Sequence, residues 1–238
     1  MGLRWRAPKP PISVVVSVND VVTCCLCPRM LYVKKVLGLV PPPTSSMARG
    51  SGVHKLYYEV SKRFVEGLLR GLSPSEVASG LMEELEGKLR SGLMSSRDYD
   101  LAEAIVEFRA RNPPRPPLSF EVPVSSLDLG VVGVVDMVEG GVPVEVKFKV
   151  RPHLQDYVQL AWYSIMLEEQ TGGVVEHGFL DLVPTRRVKV YMSPRLRELA
   201  VELRDRAIEV LYSSTPPRRV ERRLCSRCEL NLECRLLS

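Results

Sequence analysis

Apolar residues recur along this chain with two different periods, and the change from one to the other divides it. Over residues 19–37 they return every three to four positions, the spacing of one helix face. Asn19 or Asp20 stands where a cap is needed and Gly38 where a helix ends. Pro41, Pro42 and Pro43 follow as a stiff, extended linker. Helical spacing resumes over 47–69, 73–92 and 97–109. Ser73-Pro74-Ser75-Glu76 reads as a cap with proline at the first helical position. Pro113, Pro114, Pro116 and Pro117 stop the last of these helices, since proline lacks the amide hydrogen a helix needs.

The period then shortens. Residues 119–124, 129–138 and 142–149 are rich in Val and bounded by Gly, which predicts three strands in a meander. A helix over 153–170, strands over 175–182 and 187–191 and a helix over 194–212 follow. A connector rich in Pro and Arg, 215–223, leads to a cysteine-rich end. The pattern predicts an α/β fold, a central mixed sheet flanked by helices. It divides into an N-terminal segment (1–46), a core (47–212) with a helical insertion at about 73–112, and a C-terminal segment (213–238).

Composition narrows the class without naming a function. With 45% hydrophobic and 26% charged residues, the chain suits an ordinary globular core. No apolar run reaches the roughly 18 residues of a membrane span. The run over 12–18 is short, is broken by Ser13 and Ser17, and is followed by no small-residue cleavage site, so no signal peptide is read and a cytoplasmic protein is expected. The net charge of +5 permits an anionic partner. Arg far outnumbers Lys; its planar fork suits phosphate, though the scarcity of Asn and Gln fits heat tolerance equally well.

The first candidate chemistry lies in the strands. Gly133-Val134-Val135-Asp136 puts a carboxylate inside an apolar run, and Glu145-Val146-Lys147 follows on the next strand. Alternation sends Glu145 and Lys147 to one face and Val144, Val146 and Phe148 to the other. A turn at Gly140-Gly141 brings Asp136 beside Glu145. Two carboxylates together repel, and a hard cation such as Mg²⁺ or Mn²⁺ relieves them, with Lys147 one strand step away. The competing reading is a solvent-facing hairpin with an ordinary Glu–Lys pair. Gly50-Ser51-Gly52-Val53-His54 adds an imidazole at the start of a helix, and Gln159 and Tyr163 share one face of another. His153 and His177 have no such company.

In this order, GxxxH, GxxD, ExK and QxxxY, the motifs resemble the RecB-like branch of the PD-(D/E)XK nucleases. The resemblance covers 47–163 and implies that His54, Asp136 and Glu145, with the Val146 carbonyl, bind Mn²⁺ or Mg²⁺. It further implies that Lys147 assists the attacking water and that Gln159 and Tyr163 position substrate.

Cysteine usage extends it. Cys24, Cys25 and Cys27 lie near one end, Cys225, Cys228 and Cys234 near the other, with none between. Clustered thiols in a cytosolic chain suggest metal before disulfide. Cys24 and Cys27 with Cys225 and Cys228 would suit tetrahedral zinc. Cys27-Pro28-Arg29 with Cys225, Cys228 and Cys234 resembles instead the iron–sulfur staple of AddAB nuclease subunits and of CRISPR-associated RecB-like exonucleases, the Cas-four family. That resemblance implies a 4Fe–4S or 2Fe–2S cluster on Cys27, Cys225, Cys228 and Cys234, leaving Cys24 and Cys25 apolar. It also implies a 5′→3′ exonuclease on single-stranded DNA that serves spacer acquisition and contacts the CRISPR integrase proteins; no membrane partner is expected from the apolar pattern, and self-association is left open. Arg218, Arg219, Arg222 and Arg223 would line the strand's path or form a solvated linker. A DNA-binding or assembly subunit without activity is the alternative in another class.

Overall fold

In the computed structural model, residues 8–10, 14–39 and 45–237 are described, with side chains of the helix that begins at Ser45 described from Gly52 onward. The proline linker at 41–43 lies outside them. A short strand β1 (Val16–Ser17) runs straight into helix α1 (Val18–Leu26). The cap is Ser17, not Asn19 or Asp20: its hydroxyl accepts from the Asp20 amide while Asp20 reaches back to the Ser17 amide, a capping box. The single helix expected over 19–37 is two. Cys27 is extended (φ −162°, ψ 111°) and helix α2 (Pro28–Lys35) restarts on proline at its first turn. The physical cause is Pro28, which disfavours the α conformation in the residue before it.

Helix α3 (Ser45–Leu69) precedes the helical pair α4 (Pro74–Arg90) and α5 (Ser96–Arg111). Strands β2 (Leu118–Ser126), β3 (Val131–Glu139) and β4 (Val142–Lys147) form the expected antiparallel meander. Gly140 and Gly141 make the β3–β4 turn with φ of 57° and 83°, values that L side chains seldom adopt. Helix α6 (Leu154–Thr171) crosses to β5 (His177–Leu182), parallel to β4, and β6 (Arg186–Tyr191) closes that side antiparallel. Helix α7 (Pro194–Leu211) packs back on α6. A 3-10 turn (Arg223–Arg227) and helix α8 (Asn231–Leu236), both absent from the sequence expectation, complete the order.

The mixed six-stranded sheet has an apolar core on each face. On one side α1, α2, α6 and α7 pack with Val131, Leu180 and Leu182; on the other α3, α4 and α5 pack with Met137, Val144, Val146 and Phe179. Trp162, fully buried on α6, donates its indole hydrogen to the Ala200 carbonyl on α7 at 3.0 Å, so its polar edge is satisfied within the core. β1 and β4 both pair with β3, β1 at Val131 and Val132 and β4 from Met137 to Glu139. Along the edge that these two ladders share, β3 is unpaired between them, and Asp136 stands on that stretch.

Candidate active site

The β3–β4 ladder ends at the Met137–Val144 pair. One residue further, Asp136 Oδ2 accepts a hydrogen bond from the Val146 amide at 2.9 Å. A carboxylate has taken the amide that strand backbone would otherwise hold, so the strands part there. Val144 and Val146 enter the α3–α5 core, and Glu145 leaves on the opposite side, as alternation requires. Glu145 is only 1% exposed, which rules out the solvent-facing hairpin.

His54 arrives from α3. Its Nδ1 lies 3.6 Å from Asp136 Oδ1 and 3.3 Å from the Tyr58 hydroxyl. Phe148, just past β4, lies against the imidazole with ring centroids 6.2 Å apart. Lys147 Nζ contacts Glu145 Oε1. The other oxygen, Glu145 Oε2, is buried with no hydrogen-bond partner. Such an orphaned acceptor is costly. Gln159 and Tyr163 are brought together one turn apart on α6, Gln159 donating to the Tyr163 hydroxyl at 3.0 Å. Both are buried. His153 and His177 stay out of this cluster: His153 starts α6 beside Lys149, and His177 packs on Phe179 and Tyr191.

Burial dominates the electrostatics. It pushes the Glu145 carboxyl up to about 8, with the Asp136 charge adding to the shift and Lys147 opposing it. Asp136 is raised for the same first reason, with His54 and the Val146 amide pulling it back. Burial alone would lower Lys147, but the Glu145 carboxylate outweighs it and the ammonium is held above its usual range. Lys147 therefore keeps its protons and acts as a donor. Tyr163 is raised by burial and by the Glu145 charge and keeps its proton as well.

Among the described residues no three of His, Cys, Asp and Glu sit close enough to hold a metal between them. The chemistry of the donors nevertheless fits a hard cation. An imidazole lies beside one carboxylate, Asp136, whose charge repels a second, Glu145, and a buried oxygen of that second carboxylate lacks a partner.

Several participants escape a reading of the sequence. Asp156, at the third position of α6, is buried, takes a 2.5 Å ion pair from Lys149, and its charge is felt at both Glu145 and Lys147. Tyr58, one turn after His54, is signalled only by that spacing. Beyond them lies a buried charge network. Arg187 forks onto Glu139 at 2.8 Å and onto Asp181 at 2.7 and 2.8 Å; Arg109 lies 3.5 Å from Glu139; and Tyr57 donates to Asp181. Asp181 carries the signal that singled out Asp136, a carboxylate inside an apolar strand.

The cysteines fall as two groups drawn together by the fold. Cys24 faces the core, and burial pushes its thiol up to about 11. Cys25, Cys27, Cys225, Cys228 and Cys234 are half-buried. Arg29 joins the two ends: its guanidinium, on a residue 5% exposed, donates to the carbonyls of Pro217 at 2.7 Å, Cys234 at 3.2 Å and Leu237. Arg222 donates to the Leu26 carbonyl at 3.2 Å, and its amide meets Cys225 Sγ at 3.4 Å. Arg219 is paired with Glu221. Soft thiols gathered from both ends suit iron or zinc in kind, and among the described residues they form no closed ligand group.

Two comparisons bear on this arrangement. The sequence profile of the PD-(D/E)XK nuclease superfamily matches residues 15–235. A protein of Thermoproteus tenax, named CRISPR-associated exonuclease Csa1, is 29% identical over 227 residues, covering 88% of this chain and 80% of the relative. The profile match takes in α1, the sheet, α6 and the C-terminal cysteines together.

Proposed function

Because the chain belongs to the PD-(D/E)XK nuclease superfamily, we propose that it hydrolyses DNA phosphodiester bonds, with a divalent cation held by His54, Asp136, Glu145 and the Val146 carbonyl. Bound there, Mn²⁺ or Mg²⁺ would lower the pKa of a water and offset charge on the scissile phosphate. Lys147, kept protonated by Glu145, orients the attacking water or neutralises a phosphate oxygen. The Gln159–Tyr163 pair braces the site from α6 and directs the phenol toward substrate. Exonuclease action on single-stranded DNA with 5′→3′ polarity, in the CRISPR adaptation step and beside the integrase proteins, rests on the resemblance of the motifs and on the name of the Thermoproteus tenax relative. By the resemblance, Cys27, Cys225, Cys228 and Cys234 hold an iron–sulfur cluster, and the basic stretch with Arg218, Arg219, Arg222 and Arg223 flanks the DNA path.

One observation carries the reading: a buried carboxylate, Glu145, a half-buried one, Asp136, and a lysine converge where β3 and β4 part, with one Glu145 oxygen left without a partner. Asp136→Ala and Glu145→Ala are expected to lose cutting of a single-stranded oligonucleotide in Mn²⁺ by two orders of magnitude or more, on the order of an essential electrostatic group, with the circular dichroism spectrum retained. Retained cutting by both variants removes the assignment. EDTA is expected to stop the wild type. For the cluster, anaerobically purified protein is expected to absorb near ~400 nm and Cys228→Ser to bleach it; a colourless protein holding stoichiometric zinc would decide for the zinc reading.

A further inference from the structure

Tyr58 has no place in the motif series, yet its hydroxyl stands beside the His54 nitrogen that faces Asp136. His54 Nδ1 is the ring nitrogen turned toward Asp136, 3.6 Å from Oδ1. The same nitrogen has the Tyr58 hydroxyl 3.3 Å away. An imidazole nitrogen has one lone pair in its acceptor form, so a hydroxyl donating to it and a cation bound by it exclude each other. The phenol is held there by packing. Tyr58 is 7% exposed, its ring lies on Phe120 of β2 at 4.9 Å, and it meets the His54 ring edge-on at 6.0 Å. Burial and the nearby Asp136, Glu121 and Glu145 charges keep the phenol protonated.

We propose that Tyr58 is a placeholder: its hydroxyl satisfies His54 Nδ1 while no cation is bound, and is released to donate to the DNA phosphate once that nitrogen is engaged by the metal. This rests on the metal-site reading above. It assigns one side chain opposite effects at two stages, competing with metal and assisting substrate. A residue that merely orients His54 would promote metal binding, and one that merely fills space would alter neither stage.

Tyr58→Phe keeps the ring and removes the hydroxyl. Binding of Mn²⁺ alone to the full-length chain, measured by calorimetry without DNA, is expected to tighten about fivefold, the worth of roughly one hydrogen bond. Turnover of a single-stranded oligonucleotide at saturating Mn²⁺ is expected to fall about tenfold, as for loss of a hydrogen bond to a charged group. The melting temperature reports that the variant is folded, and Tyr58→Met, which also lacks the hydroxyl, repeats the binding measurement if the Phe variant melts early. Unchanged or weaker Mn²⁺ binding overturns the proposal, and so does unchanged turnover. If Asp136→Ala binds Mn²⁺ and cuts like the wild type, the site reading fails and takes this proposal with it. A dead Asp136→Ala beside a Tyr58→Phe that binds Mn²⁺ no better than wild type overturns the placeholder alone.

Discussion

Glu145 ties the chemistry of the site to the stability of the chain. Its folded pKa stands near 8, above the ordinary carboxyl value, so the folded state binds this proton more tightly than the unfolded state does. The sign follows from linkage: the contribution is favourable below the unfolded pKa and is lost as pH rises through the folded one. Metal-free protein is therefore expected to melt at a higher temperature at pH 6 than at pH 8.5. Glu145→Gln is expected to flatten that dependence and to raise the melting temperature at pH 8.5, and Mn²⁺ is expected to stabilise the wild type more at the higher pH. Calorimetric scans across this range check all three, and a wild type that gains stability as the pH rises contradicts the argument. Asp136 was legible in the sequence because it interrupts a Val-rich run that otherwise asks to be buried, and Glu145 because it pairs with Lys147 on one face of the next strand. His54 was legible only through order, as the residue ahead of both.

Elements explain why the motifs contain the residues they do. Gly133 of the GxxD motif sits where α1 and α6 close on β3: a Cβ there would lie 2.9 Å from Val18 Cγ2 and 3.0 Å from Tyr163 Cε1. Gly133→Ala is expected to cost about 1–3 kcal/mol, as overpacking does, and to lower activity by displacing Tyr163. Urea unfolding and a cutting assay measure both, and a neutral result would show that the helices have room to move. Helix and strand periods placed most elements within two residues. Two features needed more than periodicity. The break at Cys27 is written in Pro28, but the apolar spacing runs across it and hides it. β1 is two residues long and exists only because β3 offers it an open edge. The C-terminal 3-10 turn and α8 were hidden by sparse apolar residues; Arg29 ties α8 to α2, and Arg222 ties the start of the 3-10 turn to the Leu26 carbonyl.

For the whole molecule, charge distributed far apart in sequence matters most, and this was the least legible part. Arg109, Glu139, Asp181 and Arg187 come from four elements, and no local pattern unites them. Their network joins α5 to β3, β5 and β6, and β3 is also the strand that carries Asp136. Arg187→Met leaves Glu139 and Asp181 buried with less compensation and is expected to destabilise the chain by about 3–5 kcal/mol, measured by guanidinium unfolding. A loss under about 1 kcal/mol, as for a surface pair, would show the pair to be solvated. Arg29→Ala is expected to loosen the closing segment without unfolding the sheet, so that limited proteolysis cuts after residue 212 while the core resists. The guanidinium of Arg29 has a consequence for biosynthesis. Its carbonyl partners at Pro217, Cys234 and Leu237 stand 188, 205 and 208 residues further along the chain. Until all three have been synthesised it stays hydrated and its pocket unbuilt, so the sheet and its helices can form before the two cysteine-bearing segments are joined.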